Sequence, residues 1–201
     1  MSAQPDFKWT PTTYLEFERE SEVKHEYFQG EIFAMAGAST NHNRLVTSIV
    51  HYLYPKLGKK GCDIFANDMR VKVSQTGLYT YPDILIACGE LHYDDDQKDT
   101  LLNPLIIFEV LSPSTESYDR GKKFESYRTL DSLQEYLLIS QDKIHIEHYV
   151  RQSDKEWQFI DITQSGDVFT LPSIACEVSV KDIYERVEFD TESKSDETPK
   201  D

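Results

Sequence analysis

Three side chains in this sequence have the types and the settings to do chemistry together. Glu109 stands inside "NPLIIFEVLSPST", residues 103–115, in an otherwise unbroken apolar run from Leu105 to Leu111. A run so short and so rich in branched residues reads as a buried central strand, where a carboxylate without a partner costs several kcal/mol or takes up a proton. Asp83, in "YPDILIA", follows Pro82 at the start of a second apolar strand, in which Ile84 and Ile86 alternate with Leu85 and Ala87. Lys123 follows Asp119 by four residues and precedes Tyr127 by four, so the three share one helix face, whereas Lys122 points about 100° away. Two carboxylates facing one pocket from neighbouring strands raise each other's pKa unless a cation lies between them. A hard divalent ion such as Mg²⁺ meets that need, because it takes oxygen ligands, keeps several waters and uses only one or two protein carboxylates. A nearby ammonium can then orient or help deprotonate the attacking water and stabilise charge on a phosphate. The chemistry so assembled is metal-assisted hydrolysis of a phosphodiester. Each residue also has an ordinary alternative: Asp after Pro is a common turn residue, and Lys123 with Asp119 makes a simple surface ion pair. The functional reading requires the helix to pack across the end of the Glu109 strand, which the short link "SPST" permits.

The elements that must position these groups follow from local pattern. Residues 11–24 read as a helix with Pro11 in its first turn and Thr12 or Thr13 as cap, and "HEYFQGEIFAMAG" reads as a hairpin around Gln29 and Gly30. Ser39 or Thr40 caps a second helix, on which Leu45, Ile49, Tyr52 and Leu53 form one buried stripe and which Gly58 and Gly61 close. Three strand candidates follow, "CDIFANDMRVKVS", "TYPDILIACG" and "NPLIIFEVLS", then a helix over roughly 116–130. Strands "EYLLIS", "KIHIEHYVRQ" and "DVFTL" come next, and "SVKDIYERV" reads as a short helix capped by Ser179. This order predicts a mixed sheet flanked by helices, an α/β (α+β mixed sheet) fold with an N-terminal hairpin and a C-terminal β extension.

With 201 residues, the chain is expected to form one domain over residues 12–187, between a flexible N-terminus, 1–11, and an acidic disordered tail, 188–201. The formal net charge is −15, of which residues 90–99 and 188–201 together hold −8. That balance argues against a protein whose whole surface grips nucleic acid, but leaves room for a basic face. Such a face is expected to draw on Arg44, Lys56, Lys59, Lys60, Arg70 and Lys72. Neither a membrane span nor a leader is signalled, so a cytoplasmic location is expected. Cys62, Cys88 and Cys176 are widely spaced and lack a CxxC pattern, which predicts reduced, structural thiols.

As a string, "YPD…" followed by "FEVLSPST…YDRGKKFESYR…LQEYLLIS" resembles a large bacterial family of restriction endonucleases within the PD-(D/E)XK nuclease superfamily. The likeness covers about residues 12–187, including "GEIFAMAGAST-NH". It implies a core of helix, three strands, helix and strand, a Mg²⁺ (or Mn²⁺) held by Asp83, Glu109 and the backbone carbonyl of Val110, and DNA as substrate. The superfamily pattern puts lysine two residues after the glutamate, where this chain has Leu111. In the resembling family that lysine comes from the following helix, which points to Lys123. His42, in the first turn of its helix, is either a capping imidazole or a site residue. Glu31, after the hairpin turn, is a supporting candidate beside Asp119 and Tyr127, and Glu26 ranks below it. Cutting both strands calls for two sites and hence a homodimer. The competing reading is an inactive nuclease-fold protein that serves as a nucleic-acid or protein binding module, because no separate base-reading motif is present. A serine hydrolase built on Ser112 or Ser114 with His42 lacks the G-x-S-x-G setting.

Overall fold

The computed structural model describes residues 8–189. The parts of the expected flexible N-terminus and acidic tail that fall at 1–7 and 190–201 lie outside the described residues. The remainder of both segments is engaged with the domain: the Trp9 amide donates to the Gly30 carbonyl (3.0 Å), and Glu188 and Phe189 pack beside a helix terminus. The first helix, α1, is Pro11–Glu20. Its cap is Thr10 rather than Thr12 or Thr13, because Thr10 and Thr13 exchange side-chain and backbone hydrogen bonds across the first turn.

The central layer is a six-stranded sheet in the order β11-β10-β9-β8-β6-β3. Its strands are β3 (Cys62–Ala66), β6 (Ile84–Cys88), β8 (Ile106–Leu111), β9 (Glu135–Ser140), β10 (Ile146–Arg151) and β11 (Trp157–Ile162). β6 runs antiparallel to β3 and β8, and β9 runs parallel to β8. One face is covered by α2 (Thr40–Leu57), whose Leu45, Val46, Ile49 and Leu53 meet Ile84, Ile86, Ile106 and Phe108. The C-terminal hairpin, β12 (Val168–Leu171) with β13 (Cys176–Ser179), extends that layer, and the final helix Val180–Tyr184 is capped by Ser179 as expected. Buried Glu135 ties the hairpin down, bonding the His148 ring (2.7 Å) on one side and the Ser173 amide (2.9 Å) on the other.

The opposite face meets α3 and a second sheet. α3 begins as an α-turn, Glu116–Tyr118, widens into a π-helical stretch, Asp119–Lys123, and ends as Phe124–Tyr127. The second sheet has the order β2-β1-β5-β4-β7, from β1 (His25–Phe28), β2 (Glu31–Ala34), β4 (Arg70–Val73), β5 (Leu78–Thr80) and β7 (Thr100–Leu101). Gln29 and Gly30 take positive φ values, 50° and 93°, as a two-residue hairpin turn between twisted strands demands. Two sequence segments expected to be single strands are each divided between the sheets. "CDIFANDMRVKVS" breaks after Ala66, where Asn67 adopts φ 63°, and "TYPDILIACG" breaks at Tyr81–Pro82–Asp83. The helix–three strands–helix–strand core is therefore α2, β3, β6, β8, α3 and β9, with the small sheet inserted into it.

The acidic loop 90–99 holds structure together. Asp99 bonds Arg19 (2.8 Å) and the buried Arg70 (3.0 Å), Asp95 takes the other Arg19 nitrogen, and Asp94 pairs with Lys72. Arg70 reaches the Tyr81 hydroxyl (2.7 Å), which donates to buried Glu18 (2.9 Å). Arg70 and Lys72 thus serve the fold and not a basic face, and Lys56 and Lys60 donate to backbone carbonyls of Glu177, Ile174 and Ala175.

The thiols differ from expectation. Cys62 and Cys88 are joined in a disulfide, because the β3–β6 register sets them directly opposite each other, and only Cys176 is free. Distance along the chain conceals a pairing that strand register creates. Thiol titration of the denatured, unreduced protein should give one reactive thiol per chain, not three. Reduction should lower stability by roughly 3 kcal/mol, readable as a drop in denaturation midpoint.

The loop network makes a second prediction. Hydrogen bonding from Arg19, and then the charge of Arg70, hold the Asp99 carboxyl below the usual carboxylate range. A depressed folded-state pKa adds stability that is complete above about pH 4 and fades as the pH falls through the folded value. Asp99 is partly exposed, so screening reduces its worth to on the order of 1 kcal/mol. Asp99→Asn should cost about that much at pH 7 and almost nothing in acid, a convergence that urea titrations at several pH values would detect.

Candidate active site

The register of the central sheet builds the first half of the site. Ile84 pairs with Phe108 in the β6–β8 ladder, so one step further along Asp83 stands across from Glu109 on the same face. Pro82 ends the excursion into the small sheet, and Asp83 sits immediately before β6, which begins at Ile84. The Asp83 carboxylate accepts from the Val110 amide at 2.7 Å and lies 3.2 Å from His42 Nε2. Val110 thus touches Asp83 through its N–H. His42, third residue of α2, is therefore a site neighbour, placed there because Ser39 caps the helix and accepts from the His42 amide (3.0 Å). Ser112 and Ser114 hydrogen-bond each other at 3.0 Å, while His42 is engaged with Asp83. No Ser–His relay links them.

α3 supplies the second half. Lys123 Nζ lies 2.9 Å from Glu109 Oε1, 3.4 Å from Asp119 Oδ1 and 3.5 Å from Glu26 Oε1. The Tyr127 hydroxyl donates to Glu109 Oε1 at 3.0 Å. Asp119, Lys123 and Tyr127 share one buried face, as their spacing predicts, and Lys122 is exposed. The π-helical stretch falls between Asp119 and Lys123, a local widening that frequently marks functional sites. The Tyr136 hydroxyl secures it from below by donating to the Asp119 carbonyl at 3.0 Å.

Glu26 is the residue that sequence reasoning ranked too low, and Glu31 the one it ranked too high. Glu26 lies in β1 with its side chain turned inward, accepting from the Thr80 hydroxyl and engaged with Tyr118. Glu31 sits opposite Phe28 in the hairpin and is exposed, away from the cluster. The available signal was the alternation in "HEYF", which places Glu26 on the face opposite His25 and Tyr27. What that face meets depends on how the small sheet folds over, which no local pattern reveals.

Electrostatically the cluster is crowded. Glu26, Glu109 and Asp119 surround one ammonium with almost no water, since Glu109 is 3% and Lys123 5% exposed. Burial pushes the Glu109 carboxyl well above its usual range, against the pull of Lys123, and Asp83 and Asp119 push the same way. Asp119 is raised likewise, by burial first. Burial alone would lower Lys123, but Glu109, Tyr127, Glu26 and Asp119 outweigh it and hold the ammonium well above its ordinary pKa. Solvent reaches the cluster from the Asp83–His42 side, where both side chains keep some exposure.

A three-layer αβββαβ core with acidic residues across β6 and β8, and a lysine over them, defines a nuclease-like protein of the restriction-endonuclease fold. Residues 11–181 match the model of the Uma2 family, described as "Putative restriction endonuclease", and the chain belongs to that family. Two uncharacterized proteins of Synechocystis sp. (strain ATCC 27184 / PCC 6803 / Kazusa) are similar. One is 39% identical over 76% of this chain and 86% of its own length, the other 36% identical over 90% and 94%. Among solved structures, a crystal structure titled as a putative nuclease belonging to DUF820 from Anabaena variabilis ATCC 29413 shares the fold. Its TM-score is 0.73 at 19% identity, over 88% of this chain and 98% of that one.

The buried pair yields a stability prediction. Lys123→Met strands Glu109 and Asp119 without their cation and should cost about 3–5 kcal/mol. Adding Glu109→Gln should recover part of that loss, giving a coupling energy that a double-mutant cycle of denaturation curves measures directly.

Proposed function

We propose that the protein is a Mg²⁺-dependent endonuclease that hydrolyses DNA phosphodiesters at the Asp83–Glu109–Lys123 cluster. The observation that carries this reading is the placement of two carboxylates across one strand pair with an ammonium 2.9 Å from one of them. The donor set suits a hard cation. Three carboxylates around a single lysine, with Asp83 beyond, leave surplus negative charge, and every donor is oxygen. Among the described residues no group of three or more His, Cys, Asp or Glu side chains forms a ready-made metal cage. Mg²⁺ binds through one or two carboxylates, its own waters and substrate phosphate, so it requires no such cage. Asp83 and Glu109 would hold the ion, with the Val110 carbonyl a further oxygen donor. Bound there, it would lower the pKa of a water and neutralise charge on the phosphate.

The chain's own residues divide the remaining work. The Val110 amide fixes the direction of the Asp83 carboxylate, beside which the His42 ring lies at 3.2 Å, and Tyr127 fixes that of Glu109. Lys123 stays protonated at neutral pH, so its Nζ acts as a hydrogen-bond donor to water or a phosphate oxygen and not as a base. Leu111, at the position where the superfamily pattern carries lysine, packs with Tyr127 and Tyr136 on the same sheet face that Lys123 reaches from α3. Scission of both strands would take two such sites, and so a homodimer. Among the described residues no helix is long and apolar enough to cross a membrane.

Supercoiled plasmid with Mg²⁺ or Mn²⁺ tests the reading. Wild type should nick or linearise it, Asp83→Ala and Glu109→Ala should abolish cleavage, and Lys123→Ala should slow it by about 100-fold or more. Calorimetry should show Mg²⁺ binding that the Asp83 variant loses. Cleavage that survives both acidic substitutions contradicts the site. Nucleic-acid binding unchanged by EDTA, with no cleavage, points instead to a binding module.

A further inference from the structure

Phe33 is an exposed aromatic side chain on the border of the acidic cluster. It lies in β2, the outermost strand on its side of the small sheet, directly opposite Glu26 in the β1–β2 ladder. Facing residues of an antiparallel pair point to the same side of the sheet, with Cβ atoms about 5 Å apart. Phe33 therefore shares the face that Glu26 turns toward the cluster, where Glu26 Oε1 lies 3.5 Å from Lys123 Nζ and its carboxylate engages Thr80 and Tyr118. One side chain separates the ring from the ammonium. Glu26 is buried, yet its neighbour Phe33 is 49% exposed.

The two other exposed phenylalanines differ from it. Phe17 leans on Trp9 and His25, and Phe159 leans on Tyr149. Phe33 makes no such ring contact among the described residues. The chain that follows it, from Ala34 to Thr40, carries no charge, and Ala34, Ala36, Gly37 and Ala38 are exposed. A side chain added at Gly37 would meet nothing within 4 Å, so the surface there is open. This uncharged rim starts opposite Glu26 and ends at Ser39, which caps the helix that brings His42 to Asp83. Both of its ends are tied to the site. The carboxylates and the ammonium suit the phosphate of a nucleotide, whereas an open aromatic ring beside them suits its flat, apolar part, the face of the base.

We propose that Phe33 stacks on a nucleobase of the strand held in the site, at a nucleotide beside the scissile phosphate, and so favours a substrate that is unpaired there. The inference rests on the nuclease reading and deepens it, by adding a base contact to a cluster that otherwise meets only the backbone. Every base has a π-face, so this contact positions the strand without reading its sequence. A base in an intact duplex must first leave its stack, a cost that an unpaired nucleotide does not carry.

The test uses the full chain with Ca²⁺ in place of Mg²⁺, fluorescence anisotropy as readout, and two labelled single strands of equal length. One is oligo(dT), and the other has the same backbone with an abasic tetrahydrofuran at every position. Wild type should bind oligo(dT) about tenfold more tightly than the abasic strand, Phe33→Ala should lose most of that preference, and Phe33→Trp should keep it. Affinity for the abasic strand, and the slope of log K against log salt, should be the same in wild type and Phe33→Ala, because the ring touches no phosphate. No preference in wild type, a preference that Phe33→Ala leaves intact, or an equal loss on both strands overturns the stacking role. A fall from dimer to monomer mass in Phe33→Ala, with the base preference unchanged, assigns the ring to an interface between copies of the chain and overturns it as well. Plasmid cleavage that still depends on Asp83 in any of these cases leaves the nuclease reading standing. Failure of wild type to bind or cut any nucleic acid overturns both.

Discussion

The contact between Glu109 and Lys123 is the constraint around which this molecule is organised. A carboxylate in the middle of a dry strand cannot stay charged unless a cation reaches it, and the cation must come from another element. α3 therefore has to dock over β8 at one height, with Lys123 above Glu109 and Tyr127 beside it. Tyr136 from β9 holds the Asp119 turn, and the small sheet closes the far side by bringing in Glu26 and Thr80. Every layer contributes polar groups to a cluster that no single layer could satisfy. A slip of one residue in β8 would turn Glu109 toward the opposite core, among Ile106, Phe108 and the apolar face of α2.

Much of that arrangement is legible in the sequence because it is local or periodic. The apolar run around Glu109, the Pro82–Asp83 strand start and the i, i+4, i+8 face of α3 are each visible in the sequence, although Asp83 and Lys123 taken singly also fit a turn and a surface ion pair. Only their convergence needs the fold. What escapes a linear reading is long-range. Cys62 and Cys88 are 26 residues apart yet adjacent in register. Glu26 belongs to the site only because β1 pairs with β5 in a sheet folded over α3, whereas Glu31, equally acidic and closer to a turn, faces solvent. Short helical and strand breaks are also concealed: nothing in "DRGKK" announces a π-helical turn, and the divided strands turn on single residues such as Asn67.

Charge shows the same limit in another form. Internal ion pairs leave the formal total of −15 unchanged, but they decide which acids and bases are engaged within the fold. Asp94, Asp95 and Asp99 neutralise Lys72, Arg19 and Arg70, and thereby weld the acidic loop and α1 to the small sheet. Three more carboxylates enclose Lys123. A tally of acids and bases counts these as surface, while the structure spends them in pairs.

That the lysine reaches Glu109 from the helix and not from the strand has a mechanical consequence. Positions 109 and 111 point to the same face, so a lysine at 111 would be fixed by the sheet alone. Here Leu111 fills that place as part of the core, and the ammonium descends from α3. Its position then depends on the packing of α3 through Phe124 on Tyr136 and Tyr127 on Tyr136, and on the π-helical turn that sets the height of Nζ. The fold thus couples the charge state of the site to the docking of one short helix. A helix with so few turns of its own is held by tertiary contacts and not by intrinsic propensity. Any substrate contact that draws α3 closer or lets it lift would change the Lys123–Glu109 distance directly, with no rearrangement of the sheet.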